Sequence, residues 1–435
     1  MSHADIVMFT LDRQIDRRIM LAAGTMRDAG LSVRLFAPAE GALEGEPDWI
    51  TRIGARPTAG VQPASVRLSG AQYDGPSFLA AGLGVYRFLR DRLPFLRGFM
   101  RLAVRTLAGG PERPYPLLFR GAIEKAPARL YIAHDLPMLP VALAARERHG
   151  GKVIFDSHEL FPEQEFSAHE QKAWRRVEAR HIGKADAVIT VNASIGRELA
   201  RRHGIADPVI VHNAERRDGA PVREERNRLR AALSLPADVP VLLYQGGLAP
   251  SRNLDMLVMA LARLRRQTTA LVFLGDGAAK PVLEATTRRL NLCSRVFFHP
   301  AVPQASLLSL TQGADFGIIP YQTNCLNNEL CTPNKLFEFI MAGVPVIATD
   351  LREIRGIVTG YGMGVVGDTS TPEAFARLID GALDSAAARK GEWAAGLQRA
   401  SRELCWEREG EKYLAVVRAL LAPKTHGPAF DESMP

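Results

Sequence analysis

The sequence of 435 residues is poor in cysteine and has no long apolar run. Its four cysteines, at positions 293, 325, 331 and 405, lack CxxC or His-paired spacing, which argues against a zinc site and a disulfide framework. No stretch reaches the roughly 18 to 20 consecutive apolar residues of a membrane-spanning helix. Residues 4–10 resemble a strand and not a signal peptide. We therefore expect a cytoplasmic protein whose cysteines are reduced packing residues.

The chain also has no excess of acidic residues: its formal net charge is +8 and its pI is near 9.5. Such a charge favours an anionic partner, which includes nucleic acid, phospholipid headgroups and a nucleotide diphosphate. No helix-turn-helix, zinc finger or paired aromatic and basic strand motif is present in the sequence. We therefore expect no nucleic-acid partner, and of the macromolecular surfaces we favour an anionic membrane.

Apolar runs of strand length alternate with helix-like segments in two series, a pattern typical of parallel βαβ units. The charged stretch 215–221 separates the two series. We expect an α/β fold with two doubly wound Rossmann-like domains, at 1–215 and 216–400, then a helix at 401–421 and a disordered tail at 422–435. The strand-like runs are 6–10, 33–37, 130–133, 153–155, 188–191, 209–212, 241–245, 270–274, 296–298, 316–320 and 344–348.

The segment 332–350 places a Lys and a Glu within an otherwise apolar helix that leads into a strand. Thr332 is the expected N-cap, Pro333 the first helical residue and Gly343 the left-handed residue after the helix. Glu338 lies too far inside this helix to cap it, so its burial requires a fixed hydrogen-bond donor. Two interpretations remain open: Glu338 is structural and accepts from Lys335 or nearby backbone, or it binds a ligand hydroxyl.

The run Pro333-Asn-Lys-Leu-Phe-Glu338, followed by Ala-Gly-Val-Pro-Val at 342–346, resembles the donor-site signature of retaining glycosyltransferases of family 4. The resemblance implies the GT-B architecture, with two domains facing across a cleft and a C-terminal helix returning to the first domain. It also implies a nucleotide-diphosphate sugar donor, with Glu338 on the ribose hydroxyls and Asn334, Lys335 and Leu336 beside it. A second Glu of the family motif falls on Leu330 here, and Glu329 is one residue away.

Glycine-rich turns follow two strands of the second series, at the sheet edge where α/β proteins bind ligands. Gly246 and Gly247 precede Arg252 and a helix, which is either a tight turn or a site for a pyrophosphate. The resembling family usually has an Arg at the position of Gly247. Gly275 and Asp276 form either a solvated turn or, by resemblance, a flank of the nucleotide base. Tyr321 would be a wall of this donor pocket.

Polar residues follow two strands of the first series. His134 and Asp135 resemble the family's first-domain His, which lies where donor sugar and acceptor meet, and a lone structural His is the alternative. Asp156, His158 and Glu159 would form an acid/base pair, a hydrogen-bonded lining or a metal site. The metal interpretation is the least favoured, because a third ligand at recognisable spacing is missing and GT-B enzymes resemble one another in needing no catalytic metal.

Two arginine-rich segments are candidates for an anionic acceptor or a membrane. Arg13, Arg17 and Arg18 suit an anionic acceptor, and an exposed charged helix start explains them equally well. The segment 82–109 reads as two amphipathic helices in which Arg97, Arg101 and Arg105 share a face. These helices would dock on anionic lipid, or they would pack on the first domain as ordinary helices.

The function we expect is transfer of a sugar, with retention, from a nucleotide-diphosphate sugar to a hydroxyl acceptor that is lipid-linked or an exopolysaccharide precursor. We expect no cofactor and no metal, with His134, Asp135 and His158 at the reacting groups. The location is cytoplasmic, with peripheral attachment to the inner face of the cell membrane. The alternatives are a GT-B nucleotide-sugar 2-epimerase and a non-catalytic nucleotide-sugar-binding protein at the membrane.

Overall fold

The computed structural model of the chain describes residues 4–41, 45–54, 110–217 and 228–422. The segment 82–109, with Arg97, Arg101 and Arg105, lies outside this range, as does the predicted tail after Ala422. Contacts divide the chain into a first unit of Met1–His158, Lys172–Ile189 and Glu411–Pro435 and a second unit of Glu159–Gln171 and Thr190–Gly410. The predicted boundary near residue 215 made each domain one continuous range, whereas the contacts interleave the two units in sequence.

Thirteen strands are present within the described residues, and eleven of them correspond to predicted runs. The two that sequence patterning missed, β3 and β13, are short and only partly buried, so they lack a long apolar signal. The strands are β1 Ala4–Phe9, β2 Val33–Pro38, β3 Ile50–Ile53, β4 Ala128–His134, β5 Lys152–Ser157, β6 Ala187–Thr190, β7 Val209–Ile210, β8 Val241–Gln245, β9 Ala270–Leu274, β10 Val296–His299, β11 Phe316–Ile319, β12 Val346–Thr349 and β13 Gly364–Gly367.

Helices connect most of these strands. Those of the first half are α1 Arg17–Asp28, α2 Pro114–Leu118, α3 Arg120–Lys125, α4 Leu139–His149, α5 Ala168–His181, α6 Ala193–His203 and α7 Arg228–Ala232. Those of the second half are α8 Leu254–Leu261, α9 Lys280–Arg289, α10 Gln304–Thr311, α11 Leu326–Glu329, α12 Asn334–Ala342, α13 Arg352–Tyr361, α14 Pro372–Glu403 and α15 Trp406–Leu421. None of the helices in the described part of the chain combines the length and the apolar character that crossing a membrane requires.

Both sheets have the topology of doubly wound folds. The first has the strand order β3-β2-β1-β4-β5-β6-β7, with parallel pairing of β1 to β2 and β4, of β2 to β3, and of β4 to β5. The second has the order β10-β9-β8-β11-β12-β13, and all its pairs are parallel. The predicted α/β class with two Rossmann-like sheets is therefore confirmed.

The second sheet is buried on both faces, which explains why its strands are continuous apolar runs. Along β8, Val241 and Leu243 belong to one core cluster and Leu242 and Tyr244 to the other, because successive side chains point to opposite faces. The parallel arrangement brings the carboxyl ends of neighbouring strands to one edge. In this way the loops after β8 and β9 meet, and so do those after β4 and β5.

Two predicted helix boundaries are wrong. Thr332 is not the N-cap of α12: Pro333 occupies that position, and the Thr332 hydroxyl instead accepts from the Asn192 side chain at 3.2 Å. The predicted helix at 401–421 is divided, because α14 ends at Glu403 and α15 begins at Trp406, whose N–H donates to Glu215. The predicted left-handed residue Gly343 is confirmed, with a φ of 70°.

Candidate functional site

In the second unit, the loops after β8 and β9 lie against each other. Gly246 donates its N–H to the carbonyl of Leu274, and Leu248 donates to the carbonyl of Asp276. Gly275 has a φ of 144°, and a Cβ there would lie 2.1 Å from the Gly246 carbonyl oxygen. Only glycine permits this approach of two backbones. The predicted residues Gly246 and Gly275 are therefore adjacent, although 29 residues separate them in sequence.

Lys335 projects from α12 to these loops and is 7% exposed. Its ammonium group donates to the hydroxyls of Tyr321 at 3.0 Å and Tyr244 at 3.3 Å, and it lies 4.4 Å from the centre of the Tyr244 ring. A Cβ on Gly246 would lie 3.8 Å from the same nitrogen, so the ammonium borders the glycine loop. No carboxylate of the described residues forms an ion pair with Lys335. The site thus holds a nearly buried cation with neutral partners.

Arg252 lies in a short 3₁₀ segment after the same loop, Pro250–Arg252. Its guanidinium stacks 4.3 Å from the centre of the Tyr321 ring and donates to the Asn328 side chain at 3.2 Å. Like Lys335, it forms no ion pair within the described part of the chain. Tyr321, which the sequence marked as a pocket wall, therefore contacts two cations at once.

Glu338 is 9% exposed and accepts a hydrogen bond from the side-chain amide of Gln245. The other end of that amide accepts from the hydroxyl of Thr311 at 2.8 Å. The required donor is therefore Gln245, the last residue of β8, and not Lys335. Since Gln245 lies 93 residues from Glu338, sequence spacing gave no signal for this pair.

The other predicted donor residues differ in their surroundings. Gly247 is exposed at the same loop, and its carbonyl accepts from the Tyr244 hydroxyl at 3.0 Å. Asp276 is exposed and pairs with Lys280 at 3.0 Å, which together with the Ala301 N–H lowers the pKa of the carboxyl group. Asn334 is half-buried at the first turn of α12, whereas Leu336 is completely buried in the core and presents no polar group.

The helix α11 supplies two buried polar residues to the second unit. Asn327 and Asn328 are buried, Leu330 is buried and Glu329 is exposed. Asn328 contacts Arg252, as described above, and its amide nitrogen lies 3.3 Å from Glu165. Glu329, one position before Leu330, is therefore exposed, whereas Asn327 and Asn328 are buried.

In the first unit, His134 ends β4 and pairs in register with Asp156 on β5. Asp135 follows with a positive φ of 62°, an unfavourable conformation for this residue. It is held there because its N–H donates to the Asp156 carbonyl at 3.0 Å, while its carboxylate accepts from the His158 N–H at 2.9 Å. The predicted residues of the two strand ends therefore meet in one cluster.

Asp156 is the centre of that cluster. Its Oδ1 accepts from Arg18 on α1 at 2.8 Å, and its Oδ2 accepts from the Tyr413 hydroxyl on α15 at 3.2 Å. The same Oδ2 lies 3.3 Å from Nδ1 of His134 and 3.4 Å from Nε2 of His158. Nδ1 of His134 and Nε2 of His158 are 3.2 Å apart. Sequence analysis found Asp156 and both histidines but neither Arg18 nor Tyr413 as their partners.

Burial and charge set the protonation of this cluster. Burial alone lowers the pKa of His158, but the charges of Asp135 and Asp156 outweigh it and raise that pKa to about 10. Burial alone raises the pKa of Asp156, and Arg18 and His158 hold it well below its usual range. Burial lowers the pKa of His134 against the opposing effect of Asp156. At neutral pH the cluster therefore contains a carboxylate, an imidazolium and a neutral imidazole.

His134, Asp156 and His158 have ligand atoms within 4.8 Å of one another, a grouping that also occurs in metal sites. Here Arg18 already neutralises the carboxylate, and Asp156 holds His158 as a cation. Both effects oppose a divalent ion, which needs an anionic and deprotonated ligand set. The hydrogen-bonded lining is therefore the alternative that these contacts favour, and Glu159 lies outside it, bonded to Gln164 and Asn327.

The three arginines proposed for an acceptor have different surroundings. Arg18 is 2% exposed and paired with Asp156, so both predictions for it, an acceptor contact and an exposed helix start, are wrong: its guanidinium neutralises a buried carboxylate instead. The side chain of Arg13 is 41% exposed and pairs with Glu40. Arg17 is half-buried at the first turn of α1.

Two protein families match successive parts of the chain. The pattern described as "Glycosyl transferase 4-like domain" matches residues 15–214, and the one described as "Glycosyl transferases group 1" matches residues 225–393. A D-inositol 3-phosphate glycosyltransferase of Xylanimonas cellulosilytica is 30% identical over 200 residues, covering 44% of this chain and 45% of that protein. The chain spans about half the length of the first curated relatives it matches.

Solved structures share the fold over nearly the whole chain. Sucrose-phosphate synthase of Thermosynechococcus elongatus has a TM-score of 0.70 and 18% identity, covering 95% of this chain and 98% of its own. The Anabaena protein HepE, in complex with UDP, has a TM-score of 0.66 and 15% identity, covering 95% and 100%. At these identities the likeness concerns the fold.

Proposed function

We propose that this chain, which belongs to the family 4 type of GT-B glycosyltransferases, transfers a sugar from a nucleotide-diphosphate sugar to a hydroxyl acceptor. In this proposal the second unit binds the donor and the first unit supplies His134 and the acceptor site. Retention at the anomeric carbon follows the family resemblance. The leaving diphosphate would assist attack from the same face, because no carboxylate nucleophile is assigned.

The observation that carries the proposal is a pair of cations in the second unit, the buried Lys335 and the half-buried Arg252, that form no ion pair within the described residues. Burying a cation without a carboxylate partner is costly, so a protein keeps it where a ligand supplies the negative charge. Lys335 and Arg252 meet on Tyr321 beside the Gly246 loop, whose exposed backbone offers room for a phosphate. A diphosphate matches this charge, and Glu338 is placed on the same helix as Lys335 to accept from a ribose hydroxyl.

We infer that the donor is a UDP-sugar, because similar folds have been solved with UDP and with UDP-glucose bound. We also propose that the transfer step uses no metal. The positive charges of Lys335 and Arg252 would stabilise the diphosphate as it leaves, the role that a divalent ion has in other enzymes.

For the acceptor, we propose that the first domain binds to an anionic membrane surface. The arginine-rich residues 82–109 would dock the first domain on anionic lipid and so favour a lipid-linked acceptor, as in polysaccharide biosynthesis. Replacing Arg97, Arg101 and Arg105 with Gln would then weaken binding to anionic vesicles by up to about 3 kcal/mol, and salt would have the same effect. Wild-type protein that fails to sediment with anionic vesicles at low salt would favour an acceptor in solution.

A panel of nucleotide sugars, incubated with and without lipid extract, tests the proposed reaction. Acceptor-dependent release of nucleotide with a glycosylated product supports transfer. Release of nucleotide with an altered free sugar and no acceptor would identify a 2-epimerase, an alternative that the family matches do not support. Binding without any release would leave a non-catalytic nucleotide-sugar-binding protein.

A further inference from the structure

A ring nitrogen at the end of β4 has no hydrogen-bond partner among the described residues. His134 is 2% exposed, and its Nε2 is buried without a partner among the described residues. Buried polar atoms almost always have a partner, and an exception at a strand end where ligands bind indicates a bond that forms with a ligand. The other ring nitrogen, Nδ1, faces the Asp156 cluster, so the two edges of the ring have separate roles.

The contacts at Nδ1 decide which nitrogen carries the proton of the neutral ring. Nε2 of His158 faces the Asp156 carboxylate, so it carries a hydrogen, and it lies 3.2 Å from Nδ1 of His134. A second hydrogen on that Nδ1 would place two N–H groups against each other. Tyr413 and His158 already direct their hydrogens at Oδ2 of Asp156, which leaves little acceptor capacity there.

We propose that Asp156, His158 and Tyr413 are positioning residues that hold the ring proton of His134 on Nε2 and present this N–H to an oxygen of the bound sugar. The identity of the ligand rests on the proposed function, whereas the position of the proton rests on the contacts of the first unit alone. His134 is thereby a hydrogen-bond donor and not a general base. Arg18 contributes by neutralising Asp156 through the other carboxylate oxygen.

Ring-nitrogen NMR of full-length protein labelled with ¹⁵N-histidine tests the position of the proton without any need for turnover. The His134 signals are assigned by their absence in His134→Gln. We expect the pattern of an Nε2–H ring for wild type, and a mixture of the two tautomers in Tyr413→Phe, which removes only the hydroxyl. Tyr361→Phe is the matched control, since that hydroxyl binds Glu403 in the second unit. A wild-type proton on Nδ1 would overturn the proposal.

Kinetics test the donor role. Glutamine retains an N–H near the place of Nε2–H, so His134→Gln should remain within about fivefold of wild-type kcat, whereas His134→Ala should lose about 100-fold. Tyr413→Phe should lower kcat about fivefold with unchanged KM for the donor, and Tyr361→Phe should change neither. Equal loss in His134→Gln and His134→Ala would contradict a donor.

Two further outcomes separate this proposal from the proposed function and from a metal site at the same side chains. If the protein transfers no sugar to any acceptor, the proposed function fails, and the NMR measurement still decides the tautomer. Addition of Co²⁺ examines the same three side chains as metal ligands. A visible absorption band that is lost in His158→Gln would assign the cluster to a metal and overturn the hydrogen-bond arrangement, and the absence of a band supports that arrangement.

Discussion

The polar clusters of the two units differ in whether their charged side chains form ion pairs. In the first unit, the positive charges of Arg18 and His158 are balanced by the carboxylates of Asp156 and Asp135, and the only buried ring nitrogen left without a partner in the described cluster is neutral. In the second unit, Lys335 and Arg252 interact with tyrosine rings, hydroxyls and an amide, and neither forms an ion pair within the described residues. The first arrangement orients the His134 ring as a hydrogen-bond donor. The second leaves two cations, Lys335 and Arg252, available to bind an anionic ligand.

This comparison predicts different consequences for stability. Arg18→Met removes one member of a fully buried ion pair and leaves Asp156 charged, which should lower the free energy of unfolding by about 3 to 5 kcal/mol. Denaturant unfolding measures the loss. Arg13→Met is the matched control, because the side chain of its partner Glu40 is 45% exposed and the loss should not exceed about 1 kcal/mol. Equal losses in the two variants would remove the distinction between the clusters.

Glu338→Gln tests the ribose assignment in the second unit. A hydrogen bond to a carboxylate contributes about 1.5 to 3 kcal/mol, so affinity for UDP should fall roughly 10- to 150-fold. Glu329→Gln is the control, since that side chain is exposed and should leave the affinity unchanged. Calorimetry with a folded Glu338→Gln variant that binds as tightly as wild type would refute the assignment.

Arg252→Ala tests whether the guanidinium contacts the phosphates. We expect affinity for UDP to fall about tenfold and affinity for uridine to change little, because only the former carries the charge that Arg252 neutralises. Arg263→Ala, at an exposed pair with Glu373, should affect neither ligand. Similar losses for both ligands would place Arg252 away from the phosphates.

Local spacing made part of the candidate site predictable. Gly343, Lys335 and Glu338 were found because one helix and its termination lie within a short stretch of sequence. The partners of those residues were not predictable, since Tyr244 lies 91 residues from Lys335 and Gln245 lies 93 from Glu338. Only the parallel pairing of strands brings them together.

In the first unit, the partners of the predicted residues are even more distant in sequence and were not predicted either. His134, Asp156 and His158 follow strands and were found by their type and position. Arg18 and Tyr413 lie 138 and 257 residues from Asp156, and their types alone gave no reason to place them there. Arg18 was predicted either to bind an anionic acceptor or to lie at an exposed helix start, because a helix start rich in arginine gives no sign of which side chain turns inward.

The most direct test of the claim that Lys335 serves to bind an anionic ligand is Lys335→Met, examined for UDP affinity and for stability without ligand. Methionine fills a similar volume and removes a buried cation that has no carboxylate partner. We predict that affinity for UDP falls by at least about tenfold, while the free energy of unfolding stays the same or rises. A variant that binds UDP as wild type does, or that loses several kcal/mol of stability as expected for Arg18→Met, would contradict the account.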